Sequence, residues 1–340
     1  MKPMSKFVSY GSIEQYRSVV RNVQSWFEHN NKPKGKLSFH GTVKLHGTNA
    51  GIGYDPATGE IWAQSRSNII TPESDNAGFA TWVHANRELI TKFMKRVNDF
   101  TDGKSIKLVF GEWCGGNIQK GVAINGLPKM FVMFDIKVTY DDENDNRYEN
   151  HQNVGSIYNI ERAQLERINF FCAEFFPTWD MDIDFSYPEA SVQPLIDITM
   201  AVETECPVAK HFGNVGVGEG VVWKCADMPN IRFKSKGEKH SESKVKTIVA
   251  VDIDKVNSIR EFVAYAFTDY RMNKVIDKMK EEGTTIEPKN TGVFLKAIMA
   301  DVLKEETDTF VDNGLEWKEI AGQASKHARD FWLAKCGAFE

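Results

Sequence analysis

The chain has 340 residues, of which 41% are hydrophobic, 26% charged and 11% aromatic, and its formal net charge is −5. This composition is close to the globular average and excludes a disordered, collagen-like or disulfide-scaffold protein. No apolar run approaches the roughly 20 residues that span a bilayer, and the N-terminus lacks the apolar core of a signal peptide. We therefore expect a soluble, cytoplasmic protein with no membrane partner.

A helix and a strand are predicted first. Residues 12–15 have the Ser-x-x-Gln form of a capping box, and apolar residues from Ile13 to Phe27 recur at helical spacing. Residues 37–44 then alternate between apolar and polar side chains, which is typical of a strand with one buried face. We expect this strand to end in a loop over residues 45–49.

Strands and a helix follow in the middle of the chain. Residues 61–66 indicate a short strand, and an apolar stripe over residues 82–97 indicates a helix. Residues 106–113 and 130–138 predict two further strands. The acidic residues 141–146 lack the Gly and Glu that a calcium loop requires, so we expect a hairpin turn there.

The C-terminal part changes character. Strands are predicted at residues 220–226 and 230–236, whereas only helical patterns follow from about Asp254. These patterns predict a mixed α+β domain over residues 1–248 and a small all-helical domain over residues 249–340. The cysteines, odd in number and without a CxxC pair, argue against a disulfide framework or zinc finger. We expect reduced thiols at Cys114, Cys172, Cys206, Cys225 and Cys336.

Lys44 is a candidate nucleophile. It lies at the end of the predicted strand, and Gly47 follows it, which lets the backbone approach a ligand closely. A lysine amine attacks an electrophile only when it is neutral, which requires desolvation or neighbouring cations. The Lys-x-x-Gly spacing alone is equally compatible with an ordinary surface lysine.

A basic cluster begins on the last predicted strand. Residues 232–246 hold six basic and two acidic side chains, a local net charge of +4. On the predicted strand, Arg232, Lys234 and Lys236 share one face about 7 Å apart, which suits a polyphosphate. A comb of cations near Lys44 would also favour its neutral amine. A solvated charged loop is the alternative interpretation.

Two carboxylates and one aromatic ring complete the candidates. Glu219 lies between Gly218 and Gly220 at a strand start, where it could bind magnesium. Glu112 falls on the inward face of its strand and needs a partner there, such as a ligand hydroxyl. Phe134 could stack on a nucleobase or simply belong to the core.

The order of these motifs is more specific than any one of them. In chain order they are residues 44–49, Arg66, residues 110–113, 131–136, 219–224 and 234–236. This order resembles the nucleotidyltransferase motifs of the covalent polynucleotide ligase and capping-enzyme superfamily. The Lys-x-His-Gly-Thr-Asn form and the Gly-Glu-Trp block that ends at Gln119 resemble the RNA ligase 2 family, the nick-sealing phage and kinetoplastid-editing class.

The resemblance implies a role for each matching residue. Lys44 is the implied nucleophile that becomes lysyl-AMP, with Glu219 organising a divalent metal and Lys234 and Lys236 contacting phosphates during catalysis. The implied nucleotide-binding residues are His46, Asn49, Arg66, Glu112, Phe134, which stacks on adenine, and Lys224. Gln119 and Asp135 are the implied substrate-binding residues.

The resemblance also implies a fold and an activity. The expected fold is a mixed, largely antiparallel-sheet nucleotidyltransferase domain of ATP-grasp-like type, followed by a small helical domain. The expected activity is that of an ATP-dependent RNA ligase, which uses Mg²⁺ or Mn²⁺ and joins RNA ends or nicks as a monomer. A phage genome is one candidate source. A DNA ligase or an RNA-capping guanylyltransferase is the enzymatic alternative, and a non-catalytic nucleic-acid-binding module is the other.

Overall fold

The computed structural model describes residues 7–103, 105–140, 147–150, 154–237, 259–281, 283–312 and 314–337. These residues form two compact units. The first runs to Ser235 without Tyr16–Ser18, and the second combines Tyr16–Ser18 with the residues from Lys236 onward. The expected domain boundary at residues 248/249 and the acidic turn at 141–146 lie outside the described residues. They remain predictions.

The strands, in chain order, are β1 (Glu14–Gln15), β2 (Lys36–Lys44), β3 (Thr48–Asp55), β4 (Glu60–Ser65), β5 (Ile69–Ile70), β6 (Ile106–Cys114), β7 (Met130–Tyr140), β8 (Arg147–Asn150), β9 (Phe170–Cys172), β10 (Thr178–Asp184), β11 (Gly220–Cys225) and β12 (Arg232–Lys236). The helices are α1 (Tyr16–His29), α2 (Phe79–Ala85), α3 (Arg87–Asp99), α4 (Val154–Leu165), α5 (Val192–Thr204), α6 (Pro207–His211), α7 (Ile259–Ala266), α8 (Asp269–Glu281), α9 (Thr291–Asp312) and α10 (Trp317–Gly337).

The strands form two sheets. A five-stranded sheet has the order β1-β12-β11-β2-β10, and a seven-stranded sheet has the order β5-β4-β3-β6-β7-β8, with β9 paired to β7. Most pairs are antiparallel, whereas β1 with β12 and β7 with β9 are parallel. The prediction of a mixed, largely antiparallel α+β fold with a helical C-terminal region is therefore confirmed.

Helices cover one face of the seven-stranded sheet. In α3 the apolar residues Ile90, Phe93, Met94 and Val97 recur at helical spacing and are fully buried in the main core cluster. Val109 and Trp113, two odd-numbered residues of β6, belong to the same cluster. Its even-numbered residues therefore face the opposite side of the sheet, where the candidate site lies.

Two local predictions are wrong. The capping box at residues 12–15 does not form, because Glu14 and Gln15 pair with β12 as a short strand, and α1 begins at Tyr16 without a side-chain cap. The predicted helix over residues 82–97 is two helices. Asn86 separates them, because its backbone leaves the helical conformation, with φ −108° and ψ 21°, and its side-chain amide donates to the Trp82 carbonyl at the end of α2.

The second unit is helical in its described part, with a core of its own contributed by α7 to α10. A buried ion pair joins Arg271 and Glu306 within this core at 2.9 Å. Among the helices that the structure describes, none is long and apolar enough to cross a membrane. All five cysteines of the chain are buried thiols.

Candidate active site

Lys44 and Glu219 meet where β2 and β11 begin their pairing. Lys44 is the last residue of β2 and pairs with Gly220, the first residue of β11, so Glu219 lies directly beside it. The Lys44 Nζ donates a hydrogen bond to Glu219 Oε2 at 2.8 Å. His46 Nδ1 lies 3.2 Å from the same oxygen, and Glu219 is only 2% exposed. The group in contact with the Lys44 amine is thus a carboxylate, where the sequence reasoning expected cations.

Gly47 brings the loop after Lys44 against β6. A Cβ at Gly47 would clash with the Trp113 carbonyl oxygen, so only glycine permits this approach. The Gly47 N–H donates to Glu112 Oε1 at 2.9 Å. Asn49 pairs in register with Glu112 across β3 and β6, and its Oδ1 is buried without a hydrogen-bond partner among the described residues. The glycine of the motif therefore joins the lysine and the second carboxylate in one site.

The electrostatics of Glu112 show how closely these groups lie. Burial raises the pKa of Glu112 to about 7. The Lys44 charge opposes this rise and the Glu219 charge adds to it, while the Gly47 hydrogen bond and the Arg66 charge oppose it less strongly. Arg66 itself is exposed in the turn that follows β4. Two carboxylates and two cations are thus close enough to act on one another electrostatically.

A β-bulge in β7 places two further residues on the site face. Phe110 pairs with Asp135 but Gly111 pairs with Met133, so Phe134 is the extra residue. Strict alternation would put Phe134 and Asp135 on opposite faces of the sheet. Instead, Phe134 packs beside Phe110 and Asp135 lies opposite Phe110. The bulge therefore presents an aromatic ring and a carboxylate side by side.

Asp135 is fully buried and contacts the other sheet. Its Oδ1 accepts hydrogen bonds from Lys224 Nζ at 3.3 Å and from the Ile136 N–H at 3.1 Å, and its Oδ2 lies 3.5 Å from Arg232 Nη1. Two cations facing one carboxylate leave a net positive charge at this end of the site. That charge favours a phosphate ligand.

The basic residues of β12 lie on alternate positions of the strand. Phe233 and Ser235 are buried on the face away from the site, where the Ser235 hydroxyl accepts from the Trp223 indole N–H. Lys234 and Lys236 are half-buried and, with Arg232, occupy the alternate positions. The other basic residues of the cluster, Lys239, Lys244 and Lys246, lie outside the described residues.

A comparison with models of known protein families identifies the family of this chain. The model of the RNA ligase family, described as "RNA ligase", matches residues 37–240, which is more than half of the chain. The chain belongs to the RNA ligase family. This confirms at family level the resemblance stated from the motifs. A comparison with curated proteins found no match.

Solved structures of RNA ligases resemble this family member at low identity. A mutant Naegleria gruberi RNA ligase solved with ATP and Mn is 19% identical, with a TM-score of 0.45, over 69% of this chain and 58% of that chain. An archaeal ATP-dependent RNA ligase is 14% identical, with a TM-score of 0.40, over 97% of this chain and 74% of that chain. The present chain thus spans less than two thirds of the Naegleria protein.

The carboxylates of this RNA ligase family member fit a divalent cation only in part. Within the described ranges, no group of three or more His, Cys, Asp or Glu side chains could hold a metal ion. Glu219 and Glu112 offer the hard oxygen ligands that Mg²⁺ and Mn²⁺ prefer. Mg²⁺ commonly binds one or two carboxylates together with substrate phosphates and water. The predicted metal role of Glu219 fits such a shared site.

Two residues around this site were not assigned a role from sequence. Arg232 was seen only as one member of a basic strand, and Tyr10 gave no signal, because it lies in a short segment without periodicity. The Tyr10 hydroxyl donates to Asp135 Oδ2 at 3.0 Å. Gln119, by contrast, was predicted as substrate-binding; it lies half-buried in the loop after β6.

Proposed function

We propose that this chain is an ATP-dependent RNA ligase that joins 3′-hydroxyl and 5′-phosphate RNA ends. The observation that carries the proposal is the Lys44 amine, hydrogen-bonded to a buried Glu219 at the end of β2. A structural lysine does not need a second carboxylate, an aromatic ring and two further cations around the same site. A nucleotidyl-transfer site needs all of them.

The reaction has three in-line displacements at phosphorus. The neutral Lys44 amine attacks the α-phosphorus of ATP, a phosphoramide bond forms, and pyrophosphate leaves. The AMP then moves to a 5′-phosphate end with release of the lysine, and a 3′-hydroxyl finally displaces AMP to form the phosphodiester bond. Positioning and charge stabilisation dominate such displacements.

The residues around Lys44 divide this work. Glu219 Oε2 already accepts a hydrogen bond from the Lys44 Nζ, and a lysine amine attacks only in its neutral form. The half-buried Glu112, with its raised pKa, suits a hydrogen bond to ribose, and the exposed Arg66 suits a phosphate. His46 and Asn49 border the same loop and contribute to holding the nucleotide.

A second group of residues is proposed to bind the base and the phosphates. Phe134 offers its ring to adenine, and Lys224, Lys234 and Lys236 contact phosphates. Gln119 is proposed to bind the RNA substrate. Asp135 is fully buried and its oxygens are engaged, so we assign it to holding Lys224 and Arg232 rather than to direct substrate contact.

Mg²⁺ or Mn²⁺ would bind at Glu219, and Glu112 is the second carboxylate that would contribute to holding it. When bound, the cation neutralises charge on the phosphates. The two carboxylates repel each other without it, since the Glu219 charge raises the pKa of Glu112. A bound divalent cation would reduce this repulsion.

The helical second unit favours an RNA ligase over the enzymatic alternatives. DNA ligases and capping enzymes usually carry an oligonucleotide-binding barrel after the last lysine motif. From residue 259 onward, the regular structure in the described part of the chain is helical. Nicked duplex RNA as the preferred substrate, a monomeric state and a cytoplasmic location remain predictions.

A sealing assay tests the proposal. Nicked duplex RNA with a labelled 5′-phosphate is incubated with Mg²⁺ and either ATP or GTP, beside the same nick in DNA. We expect sealing of the RNA with ATP and none with GTP. The matched control is Lys92→Ala, which removes another lysine that pairs with a buried glutamate, Glu161, at 2.8 Å. Sealing of DNA alone, or transfer of GMP, would overturn the proposal.

A further inference from the structure

The segment of residues 8–11 is fixed to the wall of the nucleotide site by side chains from several strands. The buried Gln64 of β4 donates to the Val8 carbonyl at 2.6 Å, and Lys137 of β7 donates to the Ser9 carbonyl at 3.3 Å. A Cβ at Gly11 would come within 2.7 Å of the Arg232 guanidinium. The segment therefore has one defined position, although it belongs to no helix or strand.

The ring of Tyr10 packs against residues of the site. Its centroid lies 5.0 Å from that of Phe110 and 5.1 Å from that of Phe134. The guanidinium carbon of Arg232 lies 4.1 Å from the Tyr10 ring centroid, within the range of a cation–π interaction. Phe134 is the residue proposed to stack on adenine, so Tyr10 supports that ring directly.

The hydroxyl of Tyr10 contacts a charged group of the site. It donates to Asp135 Oδ2 at 3.0 Å, on the carboxylate that also contacts Lys224 and Arg232. Burial, followed by the nearby Asp135 charge, raises the pKa of Tyr10 well above its usual value. The phenol therefore stays protonated and remains a donor throughout the working pH range. Without it, one oxygen of a fully buried carboxylate loses a hydrogen bond.

We propose that Tyr10 is a positioning residue of the nucleotide site, whose hydroxyl orients Lys224 through Asp135 and whose ring holds Phe134. This inference rests on the proposed function. The hydroxyl and the ring of Tyr10 are expected to have separate effects. Loss of the hydroxyl perturbs the phosphate end of the site and hence the rate of lysyl-AMP formation, whereas loss of the ring perturbs the base end and hence ATP affinity.

Three variants separate these effects. Tyr10→Phe removes the hydroxyl and keeps the ring, and Tyr10→Leu removes both. Tyr158→Phe is the matched control, because Tyr158 is fully buried in the helix-covered core and its hydroxyl donates to the Phe170 carbonyl at 2.9 Å. Each variant is assayed for kcat and ATP KM of lysyl-AMP formation and for thermal stability.

The expected results differ in kind. Tyr10→Phe lowers kcat about tenfold with KM within about twofold, as expected for a lost hydrogen bond to a charged group. Tyr10→Leu also raises the ATP KM about fivefold, consistent with a lost aromatic pair. Tyr158→Phe lowers the Tm and leaves both kinetic constants unchanged.

The outcomes distinguish this inference from the proposed function. If the wild-type protein forms no lysyl-AMP with ATP and Mg²⁺, the proposed function fails. If it does, and Tyr10→Phe behaves like Tyr158→Phe, with a lower Tm and unchanged kcat and KM, the inference alone fails. Should Tyr10→Leu not fold, the comparison of Tyr10→Phe with Tyr158→Phe still decides the matter.

Discussion

Replacing Glu112 with glutamine is expected to stabilise the folded protein while it damages nucleotide binding. The substitution keeps the size of the side chain and its acceptor for the Gly47 N–H, but it removes the negative charge. In the folded protein, burial and the neighbouring Glu219 raise the pKa of Glu112 from an ordinary value of 4.5 to about 7, against the attraction of Lys44. At pH above 7 the wild-type protein therefore keeps an unfavourable buried charge.

The size of this stability difference follows from the linkage between protonation and folding. Between the two pKa values the folded protein holds a proton that the unfolded chain has released, so wild-type stability falls as the pH rises through this window. Glu112→Gln has no such titration. The rise from 4.5 to about 7 corresponds to about 3 kcal/mol, which is an upper value. The advantage of Glu112→Gln should thus grow by about 2–3 kcal/mol between about pH 5 and about pH 8.5.

Urea denaturation of both proteins at the two pH values measures this difference. Glu28→Gln is the control, because Glu28 is exposed and its ion pair with Lys34 lies at the surface. We expect the control to change the free energy of unfolding by less than about 0.5 kcal/mol at either pH. A Glu112→Gln advantage that does not depend on pH, or a destabilised variant at high pH, would refute the electrostatic reasoning.

Other substitutions test the individual roles. Lys44→Ala should abolish covalent AMP attachment but still join a strand that is already adenylylated, whereas Lys92→Ala should retain both activities; an AMP adduct on Lys44→Ala protein contradicts the assignment. Glu219→Gln should lower sealing by about 100-fold or more across a magnesium titration, as expected for loss of a catalytic charge, and Glu161→Gln should not; near-normal turnover of Glu219→Gln would exclude the metal role. A chain that ends near residue 250 should, if it folds, form lysyl-AMP yet seal nicks far more slowly than the full chain; sealing as fast as the full chain contradicts a role of the helical unit in binding RNA. Sealing by the full chain should weaken steeply with salt, whereas nucleotide attachment should be less sensitive.

The sequence predicted the parts of the fold that depend on periodicity. Alternating residues identified β2 and β12, and the helical spacing of Ile90, Phe93 and Val97 identified α3, because these patterns reflect which face is buried. The start of α1 was predicted wrongly, because it depends on a contact that is distant in the chain. Glu14 and Gln15 satisfy a local capping rule, but their backbone pairs with β12, a strand that lies more than 200 residues away in the chain.

The site was harder to predict in its details. The strand parity of β6 predicted that Glu112 shares a face with Leu108 and Phe110, and in the structure Leu108 and Phe110 belong to one buried cluster. No such rule reveals the bulge at Phe134, because an extra residue in a strand leaves no mark in the hydrophobic pattern. Contacts between the two sheets, such as that of Asp135 with Lys224, depend on how the sheets pack.

The position of the covalent nucleotide tests the central claim most directly. The protein is incubated with ATP and Mg²⁺ in the absence of RNA, digested under conditions that preserve a phosphoramide bond, and analysed by peptide mass spectrometry. The account predicts one AMP on the peptide that contains Lys44, and none when GTP replaces ATP. AMP on another lysine, such as Lys234 or Lys236, or no covalent nucleotide on protein that is folded, would contradict it.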